Sequence, residues 1–140
     1  MLLLDSDTLT HWHAGHPRVL ERFQETPQDE VGTTIVNKIE LLQGRFDFLL
    51  KATTTEELLR AQERLSRTEK LLAQIRTLLL DLIAAQTLQR LNATKGLKKI
   101  GRRDLLIASI VLANRGTLVT RNVRHFQKVP NLKIVNWIDD

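Results

Sequence analysis

The sequence predicts an α/β fold organised around a mainly parallel sheet. Three observations carry this. Short apolar runs bounded by turn residues alternate with stretches of helical spacing from one end of the chain to the other, the pattern of strands joined by helical crossovers. Polar residues follow directly on two of those runs, Asp5 after Leu2–Leu4 and Asn122 shortly after Thr117–Val119, and sites in open α/β sheets lie outside the carboxyl ends of strands. Finally, 140 residues with 42% hydrophobic and 26% charged side chains are enough to build one core without a disulfide, and the chain has no cysteine.

The elements follow in order. Leu2–Leu4 reads as a very short strand ending in Asp5-Ser6-Asp7, where either aspartate can cap a helix. Pro17 suits the first turn of a helix whose Val19, Leu20 and Phe23 share a face. Pro27-Gln28-Asp29 is a turn and Val31-Gly32-Thr33 a short strand. Thr34 then caps a helix with Ile35, Ile39 and Leu42 on one face before Gly44. Thr53-Thr54-Thr55-Glu56 opens the next helix, with apolar spacing through Leu58, Leu59 and Leu65. Thr77–Leu80 fits either mid-helix or a buried strand followed by an Asp81 cap, because a short apolar run does not separate the two. Leu105 to Ala113 is an apolar helix with a left-handed C-cap expected near Gly116, and Thr117–Val119 and Leu132–Val135 are strands. No linker, repeat or low-complexity segment interrupts residues 1–140, which are expected to form one domain.

Charge is unevenly spread. Residues 1–59 carry a net −5, residues 60–103 a net +8 and residues 104–140 a net +2. Such asymmetry suggests a polyanion partner for the middle of the chain, although a solvated helix face gives the same pattern. The opening lacks the basic start and long apolar core of a secretory signal, and the apolar stretch from Leu71 to Leu91 is interrupted by Arg76, Asp81 and Arg90. A soluble cytoplasmic protein is expected, and the absence of cysteine excludes thiolate chemistry.

Asp5, Glu40, Asp104 and Asn122 are the candidate chemistry-bearing residues. Singly each has an ordinary explanation: a helix cap for Asp5 or Asp104, a surface glutamate for Glu40, a turn residue for Asn122. Together, carboxylates converging on one sheet edge repel one another, and a divalent cation relieves that repulsion. Hard oxygen ligands suit Mg²⁺ or Mn²⁺, which can activate water and offset charge on a phosphoryl oxygen. An acidic metal site flanked by basic residues is the layout of a phosphodiesterase acting on nucleic acid.

These residues carry a family resemblance. Leu4-Asp5-Ser6-Asp7, Ile39-Glu40-Leu41 followed by Gly44, Ile100 to Ser109 around Asp104, and Leu118 to Phe126 around Asn122 resemble, in order, the four signatures of PIN-domain ribonucleases. Val129-Pro130-Asn131-Leu132 through Trp137 is similar to the family's closing strand, and the small size resembles the VapC-type toxins of toxin–antitoxin pairs. The resemblance implies a three-layer α/β/α sandwich with a five-stranded, mainly parallel sheet, and a Mg²⁺- or Mn²⁺-dependent endoribonuclease. It favours the strand reading of Thr77 to Leu80. It makes Asp5 and Asp104 the principal metal-binding acids and Glu40 the acid that completes the cluster and orients water. Asn122 falls where many members have a fourth aspartate, and His125 where many carry an acid. It also implies an RNA substrate, a VapB-like antitoxin covering the acidic groove, and a homodimer within a higher toxin–antitoxin complex, with Leu49, Leu50, Leu58 and Leu59 as candidate contacts.

The remaining features divide between roles. Lys98, Lys99, Arg102 and Arg103, with Lys95 beside them and Arg121 further on, are candidates for RNA phosphates or for an acidic antitoxin segment; a solvated loop is the plain alternative. His11, His13 and His16 do not sit on one helix face, which argues against a zinc site, and Ser6 is expected to bond Asp5 or a metal-held water. The competing functional readings are a catalytically weakened PIN module that binds RNA or an antitoxin without cleavage, and a PIN nuclease of RNA processing.

Overall fold

The structure, a computed structural model, describes residues 1–140. Five strands form one all-parallel sheet in the order β3-β2-β1-β4-β5: β1 (Leu2–Leu4), β2 (Val31–Thr34), β3 (Arg76–Leu78), β4 (Thr117–Val119) and β5 (Lys133–Val135). Seven helices connect them: α1 (Ser6–His13), α2 (Pro17–Glu25), α3 (Ile35–Lys51), α4 (Thr55–Leu72), α5 (Leu82–Asn92), α6 (Arg102–Ala113) and the single turn α7 (Val123–Phe126). The expected α/β architecture is therefore present. No helix is long and apolar enough to cross a membrane.

The central strand is buried on both faces, as parallel sheets require. Leu4 packs with Leu9, Trp12, Val19 and Trp137 on one side, while Leu3 packs with Ile107, Ile110, Val111 and Leu118 on the other. Side chains of successive residues point to opposite faces, so three leucines suffice to join both layers. Trp12 stacks on Phe23 with ring centroids 4.4 Å apart, tying α1 to α2.

The strand order reverses at β1: the chain builds outward to β2 and β3, then returns to the other side for β4 and β5. That reversal opens a crevice at the carboxyl ends of β1 and β4. Asp5 and Asn122 follow those two ends directly or within three residues.

Several local expectations hold and several need correction. Asp5, Thr34, Thr54 and Asp81 each cap a helix through the side chain. β3 ends at Leu78, and Leu79 and Leu80 are exposed beyond it. Gly44 does not end α3, which continues to Lys51 and lies along α4. A helical glycine costs only about 1 kcal/mol, and the packed neighbour outweighs it. Nor is Gly116 the left-handed residue after α6. Arg115 takes that conformation, at φ 51°, and Gly116 is instead required by close approach, since a Cβ there would lie 3.1 Å from the Met1 carbonyl. Asp104 is not the cap of α6; Gly101, at φ 94°, holds that position and turns the chain so that Asp104 enters in the first helical turn.

Candidate active site

Each acid reaches the crevice from a different element. Asp5 ends β1 and accepts a 2.8 Å hydrogen bond from the Thr8 amide, so the cap of α1 fixes its carboxylate. Glu40 comes from the second turn of α3, Asp104 from the first turn of α6, and Asn122 from the loop after β4. With Ser6, Asp7, Asn37, Arg121, Ile107 and Phe126 they line one cavity of about 410 Å³. The sequence-predicted residues are thus brought together.

Their partners differ from those expected. Ser6 does not bond Asp5. Its hydroxyl makes a short contact with Glu40 Oε1 and lies 3.3 Å from the Asn37 carbonyl. The Asn37 amide donates to Ser6 Oγ at 3.2 Å, and the Thr34 hydroxyl donates to Asn37 Oδ1 at 2.7 Å. A hydrogen-bonded chain therefore runs from the cap of α3 to Glu40. Asn37, 1% exposed, is a site residue that the sequence reading missed. Its signal was present: Thr34, Asn37 and Glu40 recur at three-residue spacing, which stacks polar side chains on one helix face.

Glu40 is gripped from outside as well, by Arg103 Nη1 at 2.7 Å. Arg103, expected on phosphate, is therefore committed to the acid. Asp104 accepts a 2.8 Å bond from His125 Nε2, which also faces the Ile100 carbonyl at 3.1 Å. Both neighbours are acceptors, so Nε2 carries the proton. His125 is accordingly a support for Asp104. Arg121 lines the cavity but forks onto Asp139, with contacts of 3.1 and 3.3 Å. Lys98 and Lys99 lie exposed in the turn before α6, beside a second depression that includes Lys95, and Arg102 flanks Glu40 and Asp104 on the rim.

Electrostatics single out Asp5. Burial pushes its carboxyl above the ordinary value of 3.8, opposed by hydrogen bonds from Thr120 and Thr8 and helped slightly by the Asp7 charge. A desolvated carboxylate of this kind is stabilised by a nearby cation. Carboxylates and carboxamides without sulfur are the donor set of Mg²⁺ or Mn²⁺. No three acidic or histidine side chains stand close enough to clasp one ion together. The donor set, rather than a preformed cluster, is what suits Mg²⁺, which uses one or two carboxylates and keeps several waters. His11, His13 and His16 make no metal cluster: His11 bonds the Asp7 carbonyl, His16 caps α2, and His13 meets Thr68.

No family model matches the chain. Ribonuclease VapC1 of Haemophilus influenzae is 26% identical over 138 residues, 96% of each chain. Ribonuclease VapC2 of Rickettsia felis is 53% identical over 38 residues, a match spanning 27% of this chain and 28% of the relative. Among solved structures, DNA-bound VapBC of Salmonella typhimurium aligns with a TM-score of 0.79 at 23% identity, covering 97% of each chain. VapBC-1 of nontypeable Haemophilus influenzae aligns at 0.73 with 25% identity and the same coverage. The chain has the fold of the toxin chains in solved VapBC complexes, and it resembles VapC ribonucleases along nearly its whole length.

Proposed function

We propose that this chain is a metal-dependent endoribonuclease that hydrolyses RNA phosphodiester bonds, the toxin of a toxin–antitoxin pair. The observation that carries the reading is the convergence of Asp5, Glu40, Asp104 and Asn122, from four separate elements, on one cavity at the carboxyl edge of a parallel sheet. Full-length similarity to proteins named Ribonuclease VapC supports the activity, and neighbours solved as VapBC complexes support an antitoxin partner of the VapB kind.

Asp5 and Asp104 would hold the ion, with Asn122 adding a neutral oxygen. When bound, Mg²⁺ or Mn²⁺ supplies Lewis-acid charge against the developing phosphoryl negative charge and an activated water. The chain's own residues do the positioning. The Thr8 amide fixes Asp5, and His125 Nε2–H fixes Asp104. Glu40 is held in place between Arg103 and Ser6, so its carboxylate is positioned to orient the attacking water. Arg102 on the rim, with Lys98 and Lys99, meets flanking phosphates, a contribution that carries little sequence information. The same cavity is what an antitoxin tail would cover, and the exposed Leu50, Leu58 and Leu59 of the α3–α4 hairpin offer it apolar surface.

One observation favours a second reading, a module that binds RNA or a partner without cleaving. Glu40 and Asp104 already have cationic or proton-donating partners within the chain, and Asn122 leaves the cluster one charge short of four acids. Incubation of purified, antitoxin-free protein with total bacterial RNA and Mn²⁺ or Mg²⁺ separates the two. Discrete fragments that vanish with EDTA and with Asp104→Asn support the nuclease. Intact RNA with wild-type protein under every metal refutes it in favour of the binding module.

A further inference from the structure

A group of cations stands apart from the acidic cavity and has no acidic partner. Arg45 of α3, His13 at the end of α1, and Arg60, Arg64 and Arg67 of α4 gather where the three helices meet. Arg60, Arg64 and Arg67 line a depression of about 420 Å³ together with Phe48 and Glu63. The four ion pairs of the structure lie elsewhere, so none of these arginines is neutralised, Glu63 notwithstanding. The crowding is felt: His13 and Arg45 both lose basicity, first through burial and then through the charges of Arg64 and Arg67.

The cluster is built rather than adventitious. Arg45 Nε donates to the Thr68 hydroxyl at 3.2 Å, and the same hydroxyl lies 3.0 Å from His13 Nδ1. Thr68 is 1% exposed, so a buried hydroxyl orients both side chains. The Arg64 guanidinium lies over the Phe48 ring, 5.3 Å from its centroid, and half of that ring remains exposed. Guanidinium forks match phosphate geometry, and an open aromatic face stacks a base. Position completes the argument. Ser6 and Asn37 line the acidic cavity, while His13 and Arg45 lie two turns further along the same faces of α1 and α3, at about 10–12 Å for a rise of 1.5 Å per residue. A strand lying over the acids continues onto the arginines within a few nucleotides.

We infer that Arg45, Arg60, Arg64 and Arg67, with Phe48, form a second RNA site that holds phosphodiesters of a single strand whose scissile bond lies in the acidic cavity. This rests on the ribonuclease reading above. An acidic peptide would meet the same charge, and the test separates the two.

Binding of a short fluorescein-labelled single-stranded RNA is followed by anisotropy in EDTA across a range of salt. Each single-strand phosphate contact contributes about 0.7 to the slope of log affinity against log salt. Arg64→Gln/Arg67→Gln should lower that slope by about 1.4 and weaken binding at low salt. Arg64→Lys/Arg67→Lys, which keeps the charge, should retain the slope. Arg76→Gln/Arg115→Gln, at the amino ends of β3 and β4, serves as control and should leave it unchanged. A wild-type slope in the glutamine variant overturns the inference, as does an equal fall in the control. Loss of affinity for a glutamate-rich peptide with RNA binding intact assigns the site to a protein partner and also overturns it. These failures leave the nuclease reading standing if the wild type cleaves RNA with metal, whereas wild-type protein that neither binds RNA in EDTA nor cleaves it with Mg²⁺ or Mn²⁺ overturns both.

Discussion

Replacing Asn37 with alanine tests whether the buried hydrogen-bonded chain positions Glu40. Asn37 is 1% exposed and Thr34 fully buried, so neither side chain can turn to water. The substitution removes the 2.7 Å bond from Thr34 Oγ1 and the 3.2 Å bond to Ser6 Oγ, each worth about 1 kcal/mol. Ser6 keeps Glu40 and the Asn37 carbonyl as acceptors, so its hydroxyl is not stranded. Thr34 keeps the Asn37 amide as donor but loses the acceptor of its own proton, and an unsatisfied buried donor costs about 1–3 kcal/mol. Counting the lost Thr34 bond within the cost of its stranded hydroxyl, the destabilisation is about 2–4 kcal/mol, read as a lower urea midpoint at unchanged m-value. RNA cleavage should fall with it, and Asn37→Ala in a Glu40→Gln background should cost little further activity, because both act through one carboxylate. A stability loss below about 1 kcal/mol, or additive losses of activity, would refute the reasoning.

Other consequences can be checked separately. Asp5→Asn keeps a good helix cap but removes a charge that burial disfavours. Because the folded pKa of Asp5 is raised above 3.8, its contribution is present below that value and lost as pH rises through the folded pKa. The asparagine variant should therefore melt higher than wild type in EDTA at neutral pH while losing cleavage; a lower melting temperature would count against it. His125→Ala should lower cleavage about 10–100-fold, the usual effect of removing a group that orients a metal ligand, with His125→Gln recovering part of it; equal kcat in all three proteins would dismiss the role. His13 has its folded pKa lowered below 6.5, so its contribution is present above 6.5 and disappears as pH falls from there to the folded value. Arg67→Gln should move the NMR-detected His13 pKa back toward 6.5 and flatten that loss.

The elements were legible where one local rule decides them. A proline opens α2, threonines cap α3 and α4, and Asp5 and Asn122 stand at strand ends because a parallel sheet exposes those ends. Glu40 was legible through its motif, and its position on α3 agrees. The partners were not. Arg103 and Glu40 are 63 residues apart, and only the packing of α6 against the sheet decides that the arginine turns to the acid. The same is true of His125 and Asp104, 21 residues apart. The length of α3 was obscured by Gly44, whose intrinsic cost is small beside the packing of α4 along the helix. Arg115 was obscured by its neighbour, since a glycine one residue later made Gly116 the natural candidate for the positive φ.

The charge asymmetry of the chain takes on a spatial meaning in the fold. The net +8 of residues 60–103 does not form one basic face. It divides between the α4 arginines and the lysine-rich turn before α6, which line separate depressions. A polyanion approaching the acids alone would be repelled, because Asp5, Asp7, Glu40 and Asp104 line the cavity and Arg103 pairs with only one of them. Basic surfaces outside the acidic cavity offset that repulsion before any ion is counted, because screened attraction still acts over about 8–10 Å at ordinary salt. Arg64 and Arg67 also repel the partly buried Arg45 of α3, so the cluster lowers stability unless an anion binds there. An anion bound there would therefore stabilise the α3–α4 hairpin by mass action, so the RNA inferred for this site should raise the melting temperature of the wild type more than that of Arg64→Gln/Arg67→Gln.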